Sequence, residues 1–200
     1  MHKYLADTEY AAKGIIALYM NEIHAYEKAR RDFTMGVEGI AAWDVRGASS
    51  PPLLEHLSAM QAKIEQVRES SGKMFTLEAS LTPRQFAFEV LCGALLQIAK
   101  QGISVAFAGG WKTKCPQGRA VGVEHLRNII WQARNQAMHY EENKLRKEVR
   151  DCFAKLEESF GPQFSLSSKP STNLAAHIVD LLEWHTYEAY ERDMASLLGT

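Results

Sequence analysis

One stretch of the 200-residue chain carries side chains whose types and spacing can do chemistry together: Arg134-Asn135-Gln136-Ala137-Met138-His139-Tyr140. A guanidinium holds a phosphate or carboxylate through two parallel hydrogen bonds. An imidazole, which titrates at about 6.5 as a free side chain, takes and gives protons near neutral pH. Five residues on a straight helix turn through about 500°, which leaves Arg134 and His139 about 140° apart. They converge only where a helix ends or bends between them, or where each meets the other's mate across a dimer. Tyr140-Glu141-Glu142-Asn143 reads as such a break, with Asn143 able to cap the following helix. His139 is then expected at a helix end near the surface. Upstream, Arg127 and Arg134 are seven apart and nearly superimpose along a helix axis. Trp131 lies between them, where an indole can stack on a base or pack against another helix.

Charge is concentrated around these residues. Residues 111–150 hold nine lysines and arginines against four glutamates, a net +5, whereas the rest of the chain carries −6. A basic segment on an otherwise acidic protein points to a local anionic partner.

The elements that must position these groups are helices. With 46% hydrophobic and 24% charged residues, the composition is that of an ordinary globular chain. The length suits one domain spanning 1–200, with room for a helical hairpin appended to it. Apolar spacing predicts six helical segments and no strand. The first runs from about Asp7 to Phe33, after which Gly36 and Gly39 loosen the chain. The second runs from about Pro51 to Ser70, capped by Ser50 and ended by Ser70-Ser71-Gly72. The third is announced by a capping box, Thr82-Pro83-Arg84-Gln85, and runs from Phe86 to Lys100. It is apolar on most faces and is expected to be the most buried. The fourth covers about Val121 to Met138, with Leu126, Ile129, Ile130, Ala133 and Ala137 toward the core. The fifth covers about Asn143 to Phe160 and stops at Gly161-Pro162. The sixth covers about Asn173 to Leu198.

The three cysteines, Cys92, Cys115 and Cys152, form no CxxC pair and are expected to be reduced thiols. The first residues lack an apolar signal-peptide core, and no apolar run approaches the roughly 18 consecutive residues of a spanning helix. The expected setting is cytoplasmic, away from membranes.

The Arg-polar-x-x-x-His pattern, at a helix end in an all-α chain of this size, resembles the HEPN superfamily. Arg134, Asn135 and His139 occupy the family's motif positions. Some members carry a tyrosine two residues past the histidine, whereas here Tyr140 follows at once. The resemblance covers the fourth and fifth helices and implies a HEPN-like helical bundle of about five to six helices. It also implies a metal-independent endoribonuclease of toxin–antitoxin or phage-defence type, without a cofactor. In such an enzyme two protomers would bring their motifs together, so a homodimer is implied, and a cognate antitoxin is a further partner. Arg134, Asn135 and His139 would be catalytic, while Arg127, Trp131, Tyr140 and Lys144 would contact RNA. The alternative is a non-catalytic module of the same fold that binds RNA, a nucleotide or a protein.

Two other patterns compete. Arg119 and His125 also match the Arg–His spacing, but they straddle a loop and Ala120 replaces the polar residue. His24-x-x-Glu27, His139-x-x-Glu142 and His185-x-x-Glu188 each place two metal-capable groups on one helical face. Di-iron helical bundles instead pair Glu-x-x-His motifs, which this chain lacks, so no metal site is expected.

Overall fold

The computed structural model describes residues 2–44, 53–142 and 144–199. Ser50 as a cap, the start of the second helix at Pro51, and Asn143 as a cap fall outside them. The described elements are α1 (Lys3–Asp44), α2 (Leu53–Ala106), α3 (Trp111–Lys114), β1 (Ala120–Val121), β2 (Glu124–His125), α4 (Leu126–His139), α5 (Lys147–Phe160), a 3-10 turn (Pro162–Phe164), α6 (Ala175–Leu181) and α7 (Tyr187–Leu198). The protein is all-α, with 75% of its residues helical and, among the described residues, only one two-stranded ribbon. In that ribbon β1 and β2 pair antiparallel, with Ala120 opposite His125 and Val121 opposite Glu124.

The chain divides into two compact units. One comprises Asn21–Gln85 and is built from the helical segments 21–44 and 53–85. Within it Glu27 and Arg31 pair at 3.6 Å, one turn apart, and Met35, Met60 and Ile64 are exposed. The other joins Met1–Met20 to Phe86–Thr200 and holds every residue of the candidate site.

The first two helices are longer than the local signals predict. α1 passes through Gly36 and Gly39, and α2 passes through Ser70-Ser71-Gly72 and Pro83. A helical glycine costs only about 1 kcal/mol relative to alanine. A proline costs about 3 kcal/mol but removes a single ladder hydrogen bond. Ending a helix strands four N–H and four C=O groups and requires a second nucleation. Continuation therefore wins over the capping box.

In the larger unit the buried stripes recur every three or four residues. α1 contributes Leu5, Ala12, Ile16 and Tyr19, and α2 contributes Cys92, Leu95, Leu96, Ala99 and Ile103. The stretch Phe86–Ala106 is long and apolar enough, on length and composition, to cross a membrane. It is buried on one side only, because Phe86, Val90 and Val105 are exposed. α4 buries the five residues its spacing assigns to the core and packs on α5 and α6. Each leucine or isoleucine so buried contributes roughly 1.5–3 kcal/mol.

Three further boundaries differ from expectation, the simplest being the fifth helix, which begins at Lys147 rather than near Asn143. The fourth helix begins at Leu126 rather than Val121, because residues 120–125 form the ribbon around Gly122. Gly122 adopts φ +59, and a Cβ there would stand 2.7 Å from the Ser159 side chain, so glycine is required. The sixth helix is broken between α6 and α7. Glu183 adopts φ +58 there, which lets Trp184 bury completely. Thr186 then caps α7 by accepting from the Ala189 N–H at 3.2 Å. All three cysteines are buried and unpaired, and burial pushes the Cys92 and Cys152 thiols up to about 12.

Candidate functional site

α4 is held at its start by backbone rather than by a side-chain cap. The Leu126 N–H donates to the Arg119 carbonyl at 3.0 Å, and the Arg127 N–H donates to the Gln117 carbonyl at 3.1 Å. Further along, the position of a Cβ at Gly93 lies 3.6 Å from the Ala137 Cβ, so α2 and α4 approach closely. Gln97 and Lys100 are four and seven residues beyond Gly93, on the same side of α2. Both reach α4. Gln97 Oε1 accepts from Arg134 Nε, and the Lys100 ammonium lies 4.6 Å from the centre of the Trp131 ring.

Arg134 is half-buried. Besides Gln97, its Nη1 donates to Asn135 Oδ1 at 3.2 Å. Asn135 therefore orients the guanidinium, and among the described residues no acidic side chain forms an ion pair with Arg134. α4 ends at His139, whose Nδ1 stands 2.5 Å from Glu142 Oε1. With Nδ1–H donating to the carboxylate, Nε2 keeps a lone pair for proton transfer.

Arg134, Asn135 and His139 line a single cleft of about 360 Å³. α4 is helical through His139, so no end or bend falls between the two residues, yet both line the same space. Lys100, Trp131, Glu142 and Arg146 complete the polar lining, over Leu145 and Val149. Burial, and then the neighbouring Arg134 charge, hold the Lys100 ammonium below the usual lysine range. Two cations side by side in a partly dry cleft repel each other unless an anion sits between them.

Of the other expected contacts, Trp131 alone lines the cleft. Trp131 stacks on Trp111, with centroids 3.8 Å apart and planes 11° apart, and Lys100 lies over its ring, so the indole is engaged with protein. Arg127 does not line the cleft. Its Nη1 donates to the Cys115 carbonyl, its guanidinium lies 5.8 Å from the centre of the Trp111 ring, and its Nε is buried without a partner. Tyr140 lines an adjoining hollow. Its hydroxyl donates to Glu141 at 3.0 Å, and that bond, aided by burial, raises the phenol above its usual range. Lys144 is exposed and lines neither space. Arg119, of the competing match, is committed to Asp193 at 2.9 Å.

Sequence reasoning missed Gln97, Lys100 and Arg146. Gln97 and Lys100 are polar, three residues apart, in a segment otherwise apolar except for Glu89. That spacing marks one face of a helix turned toward something polar. Glu142 drew notice as part of the break that follows α4 and as a metal-capable partner of His139. The structure gives the pair a direct hydrogen bond instead. Among the described residues, no group of three or more histidine, cysteine, aspartate or glutamate side chains is placed to hold a metal ion.

Arg146 occupies the N-cap of α5 and makes no capping hydrogen bond there. With Lys147 and Arg150 it puts positive charge at the positive end of a helix, the less stable arrangement. Arg146→Ser should supply the missing cap and stabilise the fold by about 0.5–1 kcal/mol. The same change should weaken phosphate binding in the cleft. Urea denaturation and a phosphate titration check the two effects; a loss of stability would show that Arg146 supports the fold.

Searches among protein-family models, curated proteins and solved structures find no match for the chain.

Proposed function

We propose that the cleft is the active site of a nuclease that needs no metal, and more particularly that the chain is a HEPN-like endoribonuclease. It would work as a homodimer in a toxin or phage-defence role, kept in check by a cognate antitoxin. One observation carries the proposal: Arg134, Asn135 and His139 share a cleft with two more cations, Lys100 and Arg146. A space lined by three cations, an amide and a carboxylate-held imidazole suits a phosphodiester and a proton transfer.

His139 Nε2 takes the proton of the RNA 2′-hydroxyl. The 2′ oxygen attacks the adjacent phosphorus, forming a P–O bond. The P–O5′ bond breaks, the departing 5′ oxygen takes a proton from water, and His139 gives its extra proton back to solvent. The products are a 2′,3′-cyclic phosphate and a free 5′-hydroxyl. Arg134, held by Gln97 and Asn135, neutralises the charge that builds on the phosphoryl oxygens. Lys100 and Arg146 bring further positive charge to the same space. A second copy would bring its own residues 134–140 to the cleft.

The purified protein should cut single-stranded RNA in excess EDTA and leave cyclic phosphate ends. DNA, which has no 2′-hydroxyl, should survive. RNA that binds and is recovered intact would establish the non-catalytic binding module instead.

A further inference from the structure

Next to the cleft lies a second hollow, of about 220 Å³. The two share Glu142 and Leu145. The C-terminal end of α4 serves both: Arg134 and His139 line the cleft, while Gln136 and Tyr140 line the hollow.

The hollow is firmly built. Gln136 is almost fully buried, and both ends of its amide are used. Its Nε2 donates to the Thr172 carbonyl at 2.7 Å, and its Oε1 accepts from the Leu174 N–H at 3.0 Å. These bonds fix the 172–174 rim to α4. Ser171, beside it, holds a left-handed φ of +54, a conformation that a non-glycine residue keeps only where its surroundings impose it. The lining combines the Tyr140 ring and the apolar groups of Leu145, Leu166 and Pro170 with two cations, Arg150 and Lys169. Lys169 reaches His177 Nε2 at 3.2 Å, whereas Arg150 has no side-chain partner among the described residues.

Arg146 lines the cleft and Arg150 the hollow. Residues four apart at the start of a helix put their Cβ atoms about 5–6 Å apart on one face. Lys100, Arg134, Arg146, Arg150 and Lys169 therefore mark a cationic path from one space into the other. Glu142, the acid the two spaces share, is bound to His139. The hollow is smaller than the roughly 300–1,000 Å³ that takes a whole drug-sized ligand. An aromatic ring with apolar neighbours suits a base, and the two cations suit a phosphate.

We infer that this hollow is a second nucleotide subsite, which holds the RNA residue next to the scissile phosphate. Tyr140 and the leucines face its base, and Arg150 and Lys169 meet its phosphate. The inference rests on the ribonuclease proposal and adds to it a substrate of at least two ordered nucleotides.

The test uses a ten-nucleotide single-stranded RNA made uncleavable by 2′-O-methyl groups, with affinity read by fluorescence anisotropy across a salt series. Arg150→Gln combined with Lys169→Gln should weaken binding at least tenfold. It should also flatten the dependence of log Kd on log salt by about 1.4, the loss of two single-strand phosphate contacts. Arg150→Lys, which keeps the charge, should retain most of the slope. Unchanged affinity and slope in the double variant would overturn the subsite and leave the cleft proposal standing. No binding by the unaltered protein would overturn both.

Discussion

His139→Ala should lower the rate of RNA cleavage by about 10³-fold, within the 10²–10⁴ that a positioned acid or base supplies. The loss should fall on kcat, because the imidazole acts on a proton in flight and adds little to ground-state binding. Arg134→Ala should cost a similar factor, since removing one preorganised donor to a developing oxyanion costs about 10²–10³. Arg134→Lys should recover only part of that, because an ammonium cannot reproduce the planar fork. Glu142→Gln should have a milder effect. Glutamine can still accept from Nδ1–H, but it no longer stabilises the imidazolium with a full charge. The substitutions should leave the fold intact at His139, which is exposed at the end of α4. Arg134→Ala differs, because it leaves Gln97 and Asn135 without the partner they now share. Single-turnover kinetics alongside melting curves separates the two effects. Cleavage that persists in both His139→Ala and Arg134→Ala would refute the assignment of catalysis to this cleft.

The cleft was partly legible in the sequence because much of it sits on α4 and α5, whose apolar period is clear although neither helix starts with a side-chain cap. The Leu126–Ala137 stripe placed one face of α4 in the core. Gly161-Pro162 marked the end of α5, and Gly161 does close it, donating to the Glu157 carbonyl at 2.9 Å. The break after His139 followed from the run of polar residues. What could not be read was the part of the site supplied from elsewhere in the chain. Gln97 reaches Arg134 across 37 residues, and no local pattern specifies that contact. The fates of Arg127 and Trp131 were hidden for the same reason. Their partners, Cys115 and Trp111, lie in a loop and a single helical turn whose placement depends on tertiary packing. The overlong α1 and α2 show the reverse limit. Glycine, proline and a capping box are local preferences of about 1–3 kcal/mol, and they are outweighed where ending the helix would strand backbone groups and require a second nucleation.

The second large effect concerns stability and lies away from the cleft. Asp193 is buried on α7, and its two oxygens accept from three donors. Arg119 Nε approaches Oδ1 at 2.9 Å, Arg119 Nη2 approaches Oδ2 at 3.0 Å, and Trp184 Nε1 approaches Oδ2 at 2.9 Å. Arg119 Nη2 also donates to the Leu182 carbonyl at 2.9 Å. One carboxylate thus ties α7 to the turn before it and to the segment whose carbonyls cap α4. Arg119 is 43% exposed, so the charge pair alone counts for little. The Trp184 indole is fully buried, and stranding its N–H costs about 1–3 kcal/mol. Asp193→Ala should therefore destabilise the protein by about 2–4 kcal/mol, the cost of orphaning a buried donor and opening a small void. For a chain of this length each kilocalorie shifts Tm by roughly 2–4 °C. Asp193→Asn should cost less, because its amide oxygen can still accept from the indole. Arg119→Ala leaves the carboxylate buried with only Trp184, so the Arg119→Ala, Asp193→Ala pair should cost less than the sum of the singles. Urea denaturation of the four variants measures this. Strict additivity, or a cost below about 1 kcal/mol for Asp193→Ala, would show that the network does not hold these elements together. If it does, the loss should also reach the cleft. The segment that Arg119 anchors carries the backbone carbonyls that start α4, and α4 carries Arg134 and His139.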